Sequence, residues 1–254
     1  MNVKYKDGLY KFFYLPILFH ETIPGHSLQI ITYSSKNITK IDIGLELTPF
    51  GTASFAASIE GWGLYAEYLA KRLNCYRTNL DLVGHYSFLL LRASRLVVDT
   101  GIHGYGWSYD RSVSYLLKNT LFNKEGAKSE VKRYFTYPGQ ATSYYIGYLS
   151  ITNALSKAEK KLGLLFNLKH FHEVVLESLK YGPLETMEEA VDDLIDYTLS
   201  CSNGDKQCRK EKYRHLNYLN ITTIQTSSKS SSLNQLSLIS SMAYQIFLFI
   251  VFTL

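Results

Sequence analysis

Apolar residues along this chain recur at intervals of three and four rather than two, and that period confines it to packed helices. The spacing predicts a helix over Leu9–Ser34, interrupted at Pro24-Gly25, and a second over Thr52–Leu73 that closes on basic residues. Further helices are expected over Leu80–Thr100, Ser108–Leu121, Ser129–Thr136, Ala141–Leu162, Leu164–Lys180 and Pro183–Leu199. Pro138-Gly139 breaks the chain before the sixth. Strand-like alternation is scarce and no internal repeat is visible. The expected fold is all-α: one helical domain over about 1–199, a polar stalk over 200–232, and a spacer with an apolar tail over 233–254.

Composition agrees with a folded body. Hydrophobic residues make up 46% of the 254 residues and charged residues 19%, which allows a sizeable core. The net charge of +5 is modest and its basic residues are scattered, densest at Lys206–Arg214, so a nucleic-acid footprint is not expected. The 21 tyrosines are mostly packing residues, some free to line a groove. Cys75, Cys201 and Cys208 form no disulfide framework and no zinc-finger spacing. Cys201 and Cys208 flank a short polar loop and either bridge or remain free thiols.

The ends point to the secretory route. Met1–Phe19 superficially resembles a signal peptide, but Lys11 interrupts its apolar run and no small-residue cleavage site follows, so it reads as a lead-in helix. Thr226–Ser232 is Ser-rich, Leu233–Ser241 is a spacer, and Met242–Leu254 is almost purely apolar. That order is the pattern of a GPI-anchor signal with Ser230 as a candidate attachment site. A membrane-spanning helix over Leu236–Leu254 is the rival reading. The sequons at Asn37 and Asn220 fit glycosylation outside the cytoplasm.

The segment richest in chemistry is His20-Glu21-Thr22-Ile23-Pro24-Gly25-His26. In the H-E-x-x-H zinc motif, two histidines four apart share a helix face, and the intervening Glu reaches the water that the ion polarises. Here the second His comes six residues after the first, a rotation of about 600° that would part them on an ideal helix. Pro24 lacks an amide and Gly25 tolerates unusual dihedrals, so a local bulge is expected to absorb the extra residues. Without such a bulge, the segment is a kinked helix with two incidental histidines.

Glu60 lies inside an otherwise apolar helix, where an unpaired carboxylate is costly unless it meets a cation. It stands 40 positions after His20, a common placement for a third ligand from a separate helix. Glu67, two turns on, either orients a ligating histidine or is a solvated charge. Arg95, Asp99 and His103 recur every four residues and share a face if their helix continues through Gly101. Tyr144 enters the helix after Pro138-Gly139, and a tyrosine hydroxyl near a metal can stabilise an oxyanion.

Four blocks in this order resemble the family catalogued as domain of unknown function 885. They are His20–Gln29, Glu60–Glu67, Arg95–Ser108 and Pro138–Tyr144, joined by Phe171-His172 and Gly182-Pro183-Leu184. Members of that family are viewed as zinc metallopeptidases, often lipoproteins or secreted, related to carboxypeptidase Taq and angiotensin-converting enzyme. The resemblance covers about Leu15–Leu184. It implies His20, His26 and Glu60 as zinc ligands and Glu21 as general base. It makes His103 and Tyr144 candidate oxyanion stabilisers. Arg95 becomes a candidate for binding a substrate carboxylate or for fixing Asp99.

Ser27 stands where many relatives have a second consecutive His, and Gly63 replaces a usual Ala. Family members are about twice as long, so an N-terminal helical half that would wall the opposite side of a cleft is expected to be missing. The expected function is zinc-dependent hydrolysis of peptides, carboxypeptidase- or oligopeptidase-like. Its rival is a truncated, inactive, membrane-tethered protein that binds peptides or partners.

Overall fold

The computed structural model describes residues 11–34, 56–180 and 182–202. All regular structure among them is helical. A 3-10 turn at Lys11–Phe13 leads into α1 (Tyr14–Glu21) and α2 (His26–Ser34). There follow α3 (Ala56–Arg72), α4 (Asn79–Tyr105), α5 (Tyr109–Asn119), α6 (Lys124–Thr136) and α7 (Gln140–Leu162). A 3-10 turn at Gly163–Leu165 precedes α8 (Leu168–Leu179) and α9 (Leu184–Ser202). The expected stalk beyond Ser202, the tail with Ser230, the sequons and Cys208 lie outside the described residues. Cys75 is a free thiol and Cys201 is disulfide-bonded. No described helix is long and apolar enough to cross a membrane.

Local chemistry sets the helix ends. Thr78 and Asp81 form a reciprocal capping box at the start of α4, satisfying amides that the helix itself leaves free. Ser108, Asn123 and Asn167 accept from the amides of Arg111, Gly126 and His170 to start α5, α6 and α8. Gly106, at φ 63°, ends α4 in the left-handed conformation that a side chain disfavours. The expected end of that helix at Thr100 is overrun because Gly101 gives the Trp107 ring a seat. A Cβ on Gly101 would fall 2.5 Å from Trp107 Cδ2.

Two apolar clusters hold the helices together. Trp62, Tyr65, Leu69, Ile151, Leu155, Phe171, Val175 and Met187 join α3, α7, α8 and α9. Val98, Ile102, Val113, Leu116, Val131 and Tyr134 join α4, α5 and α6. Glycines let the backbones of α3 and α7 approach closely. A Cβ on Gly147 would lie 2.0 Å from the Ala57 carbonyl, and one on Gly61 would lie 2.5 Å from Gly147 Cα. That approach brings Glu60 on α3 and Tyr144 on α7 to the same region.

Candidate metal centre

The long helix expected at the N-terminus ends at Glu21 instead of bulging. Residues 22–25 form a turn, and α2 starts afresh at His26. Pro24 has no amide to continue the helix. The turn is packed so tightly that a Cβ on Gly25 would fall 1.8 Å from the His20 carbonyl oxygen. Ser27 Oγ donates to the Glu21 carbonyl at 2.9 Å, and Trp62 Nε1 donates to the Pro24 and Gly25 carbonyls at 3.0 and 3.2 Å. An indole from the main core therefore braces the turn between the histidines. Trp62→Phe should lose about 1 kcal/mol of stability and weaken metal binding, measured by thermal unfolding and a competitive zinc titration.

Two helices rather than one face bring the imidazoles together, with ring centres 4.7 Å apart and planes at 87°. His20 Nδ1 donates to Glu67 Oε1 at 2.8 Å, and His26 Nδ1 donates to Gln29 Oε1 at 3.1 Å. Because both acceptors are oxygens, each Nδ1 carries the hydrogen and each Nε2 is left to act as a ligand. Those two Nε2 atoms lie 3.4 and 3.5 Å from Glu60 Oε2. Ligand atoms about 2.0–2.1 Å from a tetrahedral ion are separated by about 3.3–3.5 Å, so the residues fit a metal. Among the described residues, His20, His26 and Glu60 are the group whose ligand atoms converge.

The surroundings favour a cation. His20 is 4% exposed, and that burial opposes charge, yet contacts with Glu60 and Glu67 lift its pKa to about 9, so without an ion a proton holds the place at Nε2 that a metal would take. Glu60 is held well below the ordinary range: burial opposes this, but His20 and His26 prevail. A Cβ on Gly63 would stand 2.6 Å from His20 Cε1 and Nε2, so the glycine makes room for the ring. Glu67 is 1% exposed and takes the orienting role rather than that of a solvated charge. Glu21 is also buried, its Oε2 has no hydrogen-bond partner, and burial raises its pKa against the pull of His20 and His26.

The remaining expected residues divide. Tyr144 is 9% exposed and stacks on His20 at 6.2 Å between ring centres. Burial and the Glu60 charge push its pKa up. Arg95, Asp99 and His103 do share a face of α4, where His103 Nε2 lies 3.9 Å from Asp99 Oδ2, but their hydrogen-bond partners come from elsewhere. Arg95 does not fix Asp99; it binds Glu130 through Nη2 at 2.8 Å and Nε at 3.2 Å. Asp99 accepts from the Gly139 amide at 3.1 Å, and His103 Nε2 donates to the Tyr134 carbonyl at 2.9 Å. His103 is thus tied to the end of α6, away from the three converging ligands.

Glu130 titrates far below its ordinary 4.5, at about 2: burial resists ionisation, but Arg95 and Arg133 outweigh it. A carboxyl depressed in the folded state stabilises above the unfolded pKa and loses that contribution as pH falls through the folded value. Stability should therefore drop between about pH 4.5 and pH 2, as acid titration by circular dichroism will show. Glu130→Gln should be less stable at pH 7, because Arg95 loses its counter-charge, and should depend less on pH in that window.

One buried charge beside the candidate site escapes the sequence reading. Arg92 is 7% exposed, its Nη2 lies 3.6 Å from Glu67 Oε1, and its guanidinium carbon is 5.5 Å from the centre of the Tyr144 ring. It sits among Leu89, Leu90, Leu91 and Leu96, a charge within an apolar stretch, as Glu60 is.

No curated protein matches the chain. A crystal structure of a protein named a "putative lipoprotein" from Colwellia psychrerythraea is similar at a TM-score of 0.63 and 33% identity, covering 73% of this chain. A "putative lipoprotein of unknown function" from Shewanella oneidensis shares the fold at a TM-score of 0.58 and 23% identity over 70% of this chain. The alignment covers only 31% of either of those proteins, so this chain matches about a third of their length. The family described as "Bacterial protein of unknown function (DUF885)" matches residues 11–191, and the chain belongs to it.

Proposed function

We propose that this chain carries the catalytic part of a zinc-dependent peptidase. The observation that carries the reading is the pair of imidazoles whose Nδ1 atoms are engaged by buried oxygens while their Nε2 atoms meet Glu60 Oε2 at 3.4 and 3.5 Å. Zinc held by His20, His26 and Glu60 would supply Lewis acidity, polarising a carbonyl and acidifying a water. Glu21 takes the proton of the attacking water at its unpartnered Oε2, a new C–O bond forms at the peptide carbon, and Glu21 passes the proton to the amine as the C–N bond breaks. Tyr144 is the proposed donor to the developing oxyanion, since its ring adjoins His20. His103 is not assigned that part, because its Nε2 is already spent on Tyr134.

Two histidines and a carboxylate also suit ferrous iron. A free buried carboxylate next to the ligands favours hydrolysis. The test is metal analysis of the purified chain, with mass-spectrometric profiling of peptide cleavage with and without a chelator. Zinc near one equivalent and chelator-sensitive cleavage are expected; a zinc-free, inactive protein sinks the reading.

The lipoprotein names of its structural neighbours favour a second reading, a membrane-tethered protein that binds peptides or partners without turnover. Zinc without cleavage, in the longest form that can be purified, would favour it. The names of those neighbours support a membrane-associated or secreted location for either reading.

A further inference from the structure

We infer that α8 and the connection after it buttress the metal centre, with His172 and Ser58 as positioning residues that hold the two imidazoles at their working separation. This rests on the metal-binding reading above and adds the elements that set the affinity.

The segments Phe171-His172 and Gly182-Pro183-Leu184 take no part in the proposed chemistry. In the fold both reach the metal centre through α3. The first route starts at His172, whose Nε2 shares a hydrogen bond of 2.8 Å with the Tyr65 hydroxyl. The His172 ring also meets the Trp62 indole edge to face, with centres 5.7 Å apart. Trp62 and Tyr65 lie three residues apart on α3, their rings 5.4 Å apart, and both are fully buried. The N–H of that indole donates to the Pro24 and Gly25 carbonyls, in the turn that joins His20 to His26.

The second route ends on His26. Gln29, which accepts from His26 Nδ1, donates from Nε2 to the Ser58 carbonyl at 3.2 Å. Ser58 Oγ in turn donates to the Gly182 carbonyl at 3.0 Å. Gln29 and Ser58 are 2% and 1% exposed, so solvent cannot take over a lost bond.

These contacts act on spacing rather than on charge. Burial, with the Arg72 charge behind it, pushes the His172 pKa down to about 4, so the ring is neutral near pH 7. A buried hydroxyl left without a partner is penalised, and relieving Tyr65 would shift a ring that packs on Trp62. A metal site needs its ligand distances held within about 0.2 Å, so a small displacement of the turn is read as lost affinity. The competing account is that His172 and Ser58 only stabilise the core.

The test is a double-mutant cycle on zinc affinity in the full chain, by competitive titration, beside thermal unfolding without metal. His172→Phe should bind zinc about tenfold more weakly than the parent. In a Trp62→Phe background the same change should cost less than about twofold, because the route is already cut. His172→Gln should keep most of the affinity, since a neutral amide can donate or accept where Nε2 stands. Ser58→Ala should weaken zinc about three- to tenfold in either background. Unchanged zinc affinity in His172→Phe and Ser58→Ala, with a lowered melting temperature, gives both residues core stability alone and overturns the inference while the metal reading stands. Equal losses from His172→Phe with and without Trp62→Phe overturn it too, as does a loss in His172→Gln as large as that in His172→Phe. Should His172→Phe fail to fold, Ser58→Ala decides, and parent-like affinity there overturns it. A parent chain that takes up no zinc sinks the metal reading and this inference with it.

Discussion

Glu21→Gln is expected to lose about 10²–10⁴-fold in turnover while zinc stays bound at the level of the parent protein. The amide keeps the shape of the carboxyl but cannot accept the proton of water. No ligand changes, because the converging atoms come from His20, His26 and Glu60. The fold should not suffer either. Glu21 is buried and its charge is opposed by that burial, so a neutral side chain removes a cost rather than a support. Its melting temperature should equal or exceed that of the parent. Peptide turnover within a few-fold of the parent would remove Glu21 from the mechanism.

Replacing a ligand should give the opposite pattern. His20→Ala and Glu60→Ala should both come through dialysis without zinc, as read by elemental analysis, and retained stoichiometric zinc in either would exclude that residue as a ligand. Their effects on the fold should differ. His20 is the hydrogen-bond partner of Glu67, which is 1% exposed and otherwise has only Arg92 at 3.6 Å. Its removal strands a buried charge, at a cost of about 3 kcal/mol. Glu60 is 21% exposed at its side chain, so water can take over part of its role and the loss of stability should be smaller. Denaturant unfolding of the two variants without metal separates the effects.

Helix periods and breakers carried most of the fold in the sequence. The break at Pro24-Gly25, the restart at Gln140 after Pro138-Gly139, and the long α3 and α7 follow from local chemistry. The start of α6 did not show, because Lys124, Glu125, Gly126 and Lys128 are polar or flexible and only the cap at Asn123 marks it. In the candidate site, residue types, spacing and the family resemblance pointed to the three residues whose ligand atoms converge. How they meet was not legible: the sequence suggested a bulged helix, whereas the structure uses two helices and an indole brace from α3. The hydrogen-bond partners of Arg95, Asp99 and His103 come from α6 and the turn after it, and no spacing along α4 points to them.

One helix holds much of this arrangement. Within eight residues α3 presents a candidate ligand at Glu60, the brace at Trp62, the clearance at Gly63 and the histidine-orienting carboxylate at Glu67. A single inserted residue between 60 and 67 would swing the later positions by about 100° relative to the first and separate these contributions at one stroke. The segment tolerates exchange as a block far better than change in length, and insertions that drift through this lineage should collect in the connections between helices, leaving the span of α3 fixed.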